Sequence, residues 1–324
     1  MKARPEDLDE ERLLRALGDW RLGAVSLEYA PVGFGDHHWI AVGDAGRKWF
    51  VTVADLRLKG EPDAEAALRS LRSAMDTAAA LREEGRLDFV VAPLRAADGG
   101  TVRRLGSCHA LSVFPFLDGV AGDPDRPWTA RERGAVVELL AELHRQEPPA
   151  STPVLGLELS TRGLLESALD GAISWAGGPF AEPARALLAR HSPAIRRQVE
   201  EYDRLVEDLG RSDDPPVLTH GEPHPGNLLQ GEGRYLLVDW DTVGLAPPER
   251  DLWSVVETQE DLERYAEAAG RTVSASALAL YRLRWDLEET AVFVDWFRAP
   301  HDRSPDTEEA WDALQEAVEH LSEA

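Results

Sequence analysis

The periodicity of the apolar residues changes once along the chain, close to residue 117, and this change limits the fold more than any other feature. Before it, short runs alternate apolar and polar residues, at 21–35, 37–44 and 47–56. Such runs are typical of antiparallel strands joined by tight turns. After it, apolar residues recur at helical spacing. We therefore predict an α+β chain with a small β-rich lobe over residues 1–117 and a larger helical lobe over residues 118–324.

The remaining segments fill in the two predicted lobes. The first lobe has a helical pattern at 63–84, and two or three further strands are predicted among 88–94, 101–105 and 109–117. A link rich in Gly, Pro and Asp follows at 118–129. Thr129, with Glu132 three residues on, predicts a capped helix start. Helical patterns then lie at 161–174, 182–191, 195–209, 252–269, 274–297 and 307–322.

Composition excludes several classes of protein. The net charge of −24 argues against nucleic-acid binding, which needs clusters of Lys and Arg. The N-terminal segment is too charged for a signal peptide, and no apolar run approaches the length of a membrane span. Cys108 is the single cysteine, which fits a reducing compartment. We expect a cytoplasmic monomer or homodimer that binds neither nucleic acid nor a membrane.

The densest cluster of functional side chains lies at residues 218–229, LTHGEPHPGNLL. Pro223 and Pro225 exclude a helix there, because proline lacks a backbone donor and disfavours helical geometry in the residue before it. A second polar segment, YLLVDWDTVGLAPPERDLW, covers residues 235–253. The two segments present the side chains of His220, Glu222, His224, Asn227, Asp239 and Asp241.

These side chains suit phosphoryl transfer. Asp239 and Asn227 offer hard oxygen ligands, which magnesium prefers and zinc does not. Glu222 could accept a proton from a hydroxyl nucleophile, and a base, an Asn and an Asp on successive loops are the minimum for kinase-type transfer. A zinc hydrolase is the rival reading, but its H-E-x-x-H motif requires a helix and a different histidine spacing.

The two segments resemble the motifs of a known family. HGEPHPGN is similar to the HGDxHxGN catalytic loop of aminoglycoside phosphotransferases and choline-kinase-like enzymes, and VDWDTVGLAPPERDLW is similar to their metal-binding strand and the segment after it. The resemblance extends over essentially the whole chain. It implies a bilobal protein-kinase-like fold and a Mg²⁺-dependent transfer of the γ-phosphate of ATP or GTP. The acceptor it implies is a hydroxyl of a small polar molecule.

The resemblance assigns roles to individual residues of the larger lobe. Glu222 takes the place of the catalytic base, and Asn227 and Asp239 take the places of the magnesium ligands. His220 would orient the backbone of the catalytic loop. Asp251 would anchor that loop from below, although a plain helix N-cap is an equally good interpretation of its sequence context.

The resemblance also places the nucleotide in the smaller lobe. Gly33 and Gly35 lie where the family has its nucleotide-covering turn, and glycine lets the backbone approach phosphates closely. Phe114 and Phe116 fall at the hinge where backbone groups meet adenine. An ordinary hairpin turn and two core aromatics would give the same sequence pattern.

Three positions depart from the family pattern. Thr52 stands where the family has its phosphate-pairing lysine on the third strand, Asp76 is the closest match to that lysine's acidic partner, and Glu222 replaces an aspartate. Lys48, Lys59 or an arginine could supply the missing charge. Two interpretations stay open: an active kinase with a modified nucleotide site, or a pseudokinase-like protein that binds a nucleotide or another ligand with little transferase activity.

The acceptor is expected along the helix at 281–298, which faces the base in the family. Trp285, Asp286 and Glu289 recur there at helical spacing and could pair with amines and stack on a ring. An acidic surface with a tryptophan in the core is the alternative interpretation. A cationic amino-sugar or aminocyclitol would suit these residues, and choline, homoserine-like and nucleoside acceptors stay open.

Overall fold

The computed structural model of the protein describes residues 1–5, 8–123, 126–211, 214–231 and 234–323. It divides into two compact units, Met1–Leu155 with Pro215–Val273 and Gly156–Asp214 with Ser274–Ala324. The predicted boundary at residue 117 lies inside the first unit, because the chain returns at residue 215 to add further elements to it. Within the described ranges, no helix is both long and apolar enough to cross a membrane.

The elements of the first unit are mainly strands. The strands are β1 Ala24–Ala30, β2 His37–Gly43, β3 Lys48–Asp55, β4 Val102–Leu105, β5 His109–Pro115, β6 Val120–Ala121, β7 Val217–Thr219, β8 Leu228–Gly231, β9 Arg234–Leu237 and β10 Gly244–Ala246. The helices of this unit are α1 Glu10–Leu17, α2 Ala64–Glu83, α3 Ala130–His144, α6 Glu249–Leu252 and α7 Gln259–Ala269. The second unit contains α4 Arg162–Leu169, α5 Ala181–Leu209, α8 Ala275–Arg298 and α9 Pro305–Glu323.

The main sheet is antiparallel, with strand order β1-β2-β3-β5-β4. Successive side chains of a strand point to opposite faces. In β3, Trp49, Val51 and Val53 are therefore buried in one core together with Leu13 and Leu17 of α1, a helix that the sequence patterns did not predict. The residues between them face the other side of the sheet, where the candidate site lies.

Of the three candidate segments after the helix, two are strands of the main sheet and the one at 88–94 is not. This segment forms only an isolated bridge, in which Val91 N donates to Leu237 O at 3.0 Å and Leu237 N donates to Phe89 O at 2.7 Å. Pro93 lacks a backbone donor, so the ladder cannot continue beyond the bridge. The other predicted strands of the main sheet are confirmed.

The predicted helix start at Thr129 is confirmed as a capping box with Glu132. Two predicted helix boundaries are wrong. The segments at 182–191 and 195–209 form one helix, α5, which continues through Pro193. The segment at 252–269 is instead divided into α6 and α7, because Thr258 and Asp261 form a capping box that starts a new helix.

The second unit is helical throughout its described regular elements. Helices α5, α8 and α9 pack against one another, and α4 packs against α5 and α8. Their contact faces bury apolar side chains such as Leu188, Leu287, Val294 and Leu314. This unit carries the predicted acceptor residues.

Candidate active site

The polar loop at 218–229 follows β7 and is held from beneath by one buried carboxylate. Oδ2 of Asp251 accepts hydrogen bonds from His220 N at 2.8 Å and from His144 Nε2 at 3.0 Å, and Oδ1 accepts from Gly221 N at 2.6 Å. Burial opposes the charge of Asp251, yet the hydrogen bond and charge of His144 keep its pKa below the usual value. The anchor interpretation of Asp251 is thus confirmed.

The N-cap interpretation of Asp251 is wrong. Helix α6 begins at Glu249, and its N-cap residue is Pro248, which makes no side-chain cap hydrogen bond.

Next to Asp251, the Arg250 guanidinium donates to Thr219 Oγ1 and to Thr242 O, both at 2.9 Å. Gly221 has a φ of +108°, and a Cβ there would collide with this guanidinium.

His220 joins the loop to the next segment. Its Nε2 donates to Val238 O at 2.9 Å, and its Nδ1 accepts from Glu222 N at 3.2 Å. Complete burial lowers the pKa of His220 to about 4, so the ring is neutral and can both donate and accept. The backbone of Glu222 is thereby fixed relative to the strand end that carries Asp239.

A backbone hydrogen bond brings Asn227 close to the segment that carries Asp239. Val238 N donates to Asn227 O at 3.0 Å, and the Asn227 side-chain NH₂ donates to Glu222 O at 3.0 Å. Because the NH₂ group is committed to the loop, the carbonyl oxygen is the atom that Asn227 can offer to a cation. Asp239 has a φ of +63°, an uncommon conformation for a residue other than glycine that is often found at functional sites.

Four carboxylates converge around this point. Burial, followed by repulsion from Asp241, Glu222 and Asp36, raises the pKa of Asp239 well above its usual value. A cation that prefers oxygen ligands, such as Mg²⁺, would reduce the repulsion among these carboxylates. Among the described residues, no group of three or more His, Cys, Asp or Glu side chains is placed to hold a metal ion by itself. A magnesium site here would take its other ligands from phosphates and water.

A cavity of about 460 Å³ opens beside Asp239 within the first unit. Six of the predicted site residues line it: Gly33, Thr52, Phe114, Phe116, Asn227 and Asp239. Gly35, Asp76, His220 and Glu222 are not among its lining residues. Apolar side chains from α2, β3 and β5 also line it, so the cavity has both an apolar lining and the polar groups of Asn227 and Asp239.

The turn between β1 and β2 forms one edge of the cavity. Gly33 has a φ of +69° and Gly35 a φ of +94°, so both occupy the left-handed region that favours glycine. A Cβ on Gly33 would lie 3.3 Å from Nε2 of His38. Backbone conformation and the close approach of His38 both select glycine at residue 33.

Thr52 lies in the middle of β3, paired with His38 on β2 and Ser112 on β5. Its Oγ1 is 3.2 Å from His38 Nδ1, and the imidazole stacks on Phe50 with ring centroids 5.0 Å apart. Burial is the main cause that lowers the pKa of His38 to about 3, so this ring is neutral. The strand position that the resemblance assigns to a lysine is therefore uncharged.

Asp76 is not brought to the cavity. Its carboxylate accepts from Thr101 Oγ1 at 2.8 Å and lies 3.7 Å from Nη1 of Arg95. The residue before it, Met75, is the one that lines the cavity from α2. The expected pairing of Asp76 with residue 52 is therefore absent from the described contacts.

Lys59, one of the residues that the sequence left as alternatives for the missing charge, lies beside two of these carboxylates. Its Nζ lies 2.8 Å from Asp241 Oδ2 and 2.9 Å from Asp36 Oδ1. Lys48, by contrast, is exposed and lies over the Phe116 ring, 5.2 Å from its centroid. Asp36 was not predicted as a site residue, and no role was predicted for Asp241, although the Asp-Trp-Asp sequence at 239–241 was a signal for the latter.

The predicted acceptor residues lie on α8 in the second unit. Oδ1 of Asp286 is 3.2 Å from Nδ1 of His320, and burial raises the Asp286 pKa despite that contact. Trp285 and Glu289 are partly buried on the same helix. The acidic group at Asp286 is thus partly buried rather than fully solvated.

Comparisons with known proteins identify the family and the fold of the chain. A family model described as "Phosphotransferase enzyme family" matches residues 33–290. Protein StrN of Streptomyces griseus is 32% identical over 243 residues, which is 72% of this chain and 72% of that protein. A spectinomycin phosphotransferase, solved with ADP and spectinomycin, has a TM-score of 0.74 at 18% identity and covers 98% of this chain and 99% of its own.

Choline kinase LicA from Streptococcus pneumoniae has a TM-score of 0.61 at 16% identity, with coverage of 97% and 99%. These likenesses confirm the predicted α+β, kinase-like fold. The family model includes, in one match, residues of the smaller sheet-rich part and of the polar loop at 218–229. The chain therefore belongs to the phosphotransferase enzyme family.

Proposed function

We propose that this protein catalyses a magnesium-dependent transfer of the γ-phosphate of ATP or GTP to a hydroxyl group of a small, polar, cationic molecule. The cavity beside Asp239 carries this proposal. Its lining includes Gly33 of the glycine turn and residues 114–117, which suit a nucleotide, and Asn227 and Asp239, whose oxygens suit a metal ion. A recess that is apolar with a few convergent polar groups is the usual form of a ligand site.

The donor set fits magnesium. Asn227 offers a carbonyl oxygen and Asp239 a carboxylate whose neighbours repel its charge, so both would hold the ion. When bound, Mg²⁺ would neutralise the charge on the transferring phosphate and fix its position. Retention of both ligand types favours an active enzyme over a structural relative.

Glu222 is the residue proposed as the base. The hydrogen bond from Glu222 N to His220 fixes its backbone, and its charge is felt by Asp239. The acceptor hydroxyl would give its proton to the Glu222 carboxylate as its oxygen forms a bond to the γ-phosphorus. The bond from that phosphorus to the bridging oxygen breaks, and ADP or GDP leaves with the electron pair.

A cationic acceptor is proposed on charge and on likeness. The chain carries a net charge of −24, which favours the approach of cations. Choline, the substrate in the name of one solved relative, is a quaternary ammonium alcohol. Trp285, Asp286 and Glu289 are the residues proposed to contact an amino-sugar or aminocyclitol.

Thermal melting with ATP, GTP or neither, each with and without Mg²⁺, tests the nucleotide part of the proposal. A ligand that binds only the folded protein stabilises it by about 2.7 kcal/mol at 100 times its Kd. We expect a magnesium-dependent rise in Tm with at least one nucleotide, followed by release of its diphosphate when amino-sugars are added. No rise with either nucleotide would refute the proposal, and a rise without turnover of any acceptor would favour a pseudokinase-like binding protein, the interpretation that Thr52 supports.

A further inference from the structure

The carboxylates that line the cavity beside Asp239 would oppose the binding of a nucleotide. The part of the cavity lining that the structure describes includes no Lys and no Arg, although it includes Asp36, Asp239 and Asp241. A nucleoside triphosphate would bring several further negative charges close to these carboxylates. Binding would then be opposed by repulsion that at least one nearby cation must offset.

The strand position cannot provide that cation. Thr52 is uncharged, and the space beside it is filled by His38, which contacts the Thr52 hydroxyl, stacks on Phe50 and lies against Gly33. Residue 52, where the family resemblance places a lysine, is instead part of a packed, neutral Thr52–His38 pair. A side-chain cation that binds the phosphates would therefore lie outside β3.

Lys59, four residues beyond the end of β3, is placed for this role. Its ammonium lies between Asp36, which follows the glycine turn, and Asp241, which follows Asp239, and both of these acids line the cavity. Burial disfavours its charge, but Asp241 and Asp36 outweigh that effect and raise its pKa well above the usual value. The contacts described for this ammonium use two of its three N–H donors, to Asp36 and Asp241.

We propose that the Lys59 ammonium binds the phosphates of the nucleotide and so replaces the lysine that β3 lacks. The inference rests on the proposed function, because it assumes that a nucleotide occupies the cavity. Lys48 does not meet the same need, since its ammonium lies over the Phe116 ring rather than beside the carboxylates.

Nucleotide affinity of the purified full-length protein tests the inference, measured by calorimetry with Mg²⁺ for adenosine, AMP and ATP. We expect Lys59→Met to weaken ATP binding by roughly 10- to 100-fold, the range of a lost charge-assisted hydrogen bond, while adenosine affinity stays within about twofold. Lys48→Met is the matched control and should bind ATP like the wild type. Equal weakening of adenosine and ATP, or ATP affinity unchanged in Lys59→Met, would overturn the inference.

Asp36→Asn distinguishes phosphate binding from a structural ion pair. If Lys59 serves the phosphates, removing one competing carboxylate leaves the ammonium in place and should strengthen ATP binding by roughly threefold to tenfold. If the Lys59 contacts only hold the turn in place, the same variant should weaken ATP binding, which would overturn the inference even where Lys59→Met does not fold. Failure of the wild type to bind ATP would overturn the proposed function and this inference together, whereas wild-type binding that is insensitive to both variants would overturn only the inference.

Discussion

Asp251 offers the sharpest test of how the polar loop at 218–229 is held. Its two oxygens accept hydrogen bonds from His220 N, Gly221 N and His144 Nε2 in a fully buried setting. Asp251→Asn keeps the shape of the side chain but replaces one accepting oxygen with an NH₂ group. In the better of its two orientations the amide still accepts from His220 and His144, and its NH₂ then faces Gly221 N–H.

The cost of this substitution can be worked from those contacts. One buried donor loses its acceptor, which costs about 1–3 kcal/mol, and the two surviving hydrogen bonds lose their charge assistance, which costs roughly another 1 kcal/mol. We therefore expect Asp251→Asn to lower the free energy of unfolding by about 2–4 kcal/mol. A residue that acted only as a helix N-cap would show almost no change, because Asn caps as well as Asp.

Urea unfolding followed by circular dichroism measures the difference. The matched control is Asp63→Asn, since Asp63 is an exposed N-cap whose side chain accepts from Ala66 N at 2.8 Å. We expect the control to stay within about 0.5 kcal/mol of the wild type. A loss below about 1 kcal/mol in Asp251→Asn, similar to that of the control, would refute the anchor reasoning.

Two further predictions concern Glu222, the proposed base, and His38, which contacts Thr52 on the neighbouring strand. Glu222→Ala should leave ATP affinity within about threefold of the wild type, because the side chain is proposed to act on the acceptor proton, while turnover should fall by at least about 100-fold; parallel loss of affinity and turnover would indicate a structural role. His38 should make stability depend on pH, because the unfolded chain takes up a proton below its ordinary pKa of 6.5 whereas the folded protein does so only near its pKa of about 3. Its contribution is complete above pH 6.5 and falls as the pH is lowered, so between pH 7 and pH 5 the wild type should lose about 2 kcal/mol more than His38→Gln. Urea unfolding at the two pH values measures this, and parallel losses in both proteins would show that His38 titrates normally when folded.

The main sheet could be predicted because a strand's alternation is visible within a few residues. The segment at 88–94 has the same composition, yet its pairing depends on whether a neighbouring edge is available, and Pro93 limits it to one bridge. Helix ends were harder to predict. The Thr129 capping box is a local signal that the sequence shows, whereas the passage of α5 through Pro193 depends on packing that stabilises the helix after the loss of one hydrogen bond.

The site was predictable where its residues are close in sequence. Asn227 and Asp239 stand in dense motifs, and a backbone hydrogen bond from Val238 N to Asn227 O brings the two segments together. Asp76 was misplaced because helical phase matters: one residue on a helix turns the side chain by about 100°, and Met75 rather than Asp76 faces the cavity. Lys59 and Asp241 are 182 residues apart in the sequence, and a local sequence pattern cannot predict a contact over that separation.

Calorimetric titration of ATP into the wild type and Asp239→Asn, each with and without Mg²⁺, measures the metal's role in nucleotide binding most directly. We expect Mg²⁺ to strengthen ATP binding to the wild type by more than roughly tenfold and to have little effect on the variant, since Asp239 is the carboxylate proposed to hold the ion. Asp63→Asn again serves as the control and should respond to Mg²⁺ like the wild type. An equal effect of Mg²⁺ on the wild type and Asp239→Asn would contradict the assignment of Asp239 as a metal ligand, and absence of ATP binding to the wild type would contradict the phosphotransferase mechanism itself.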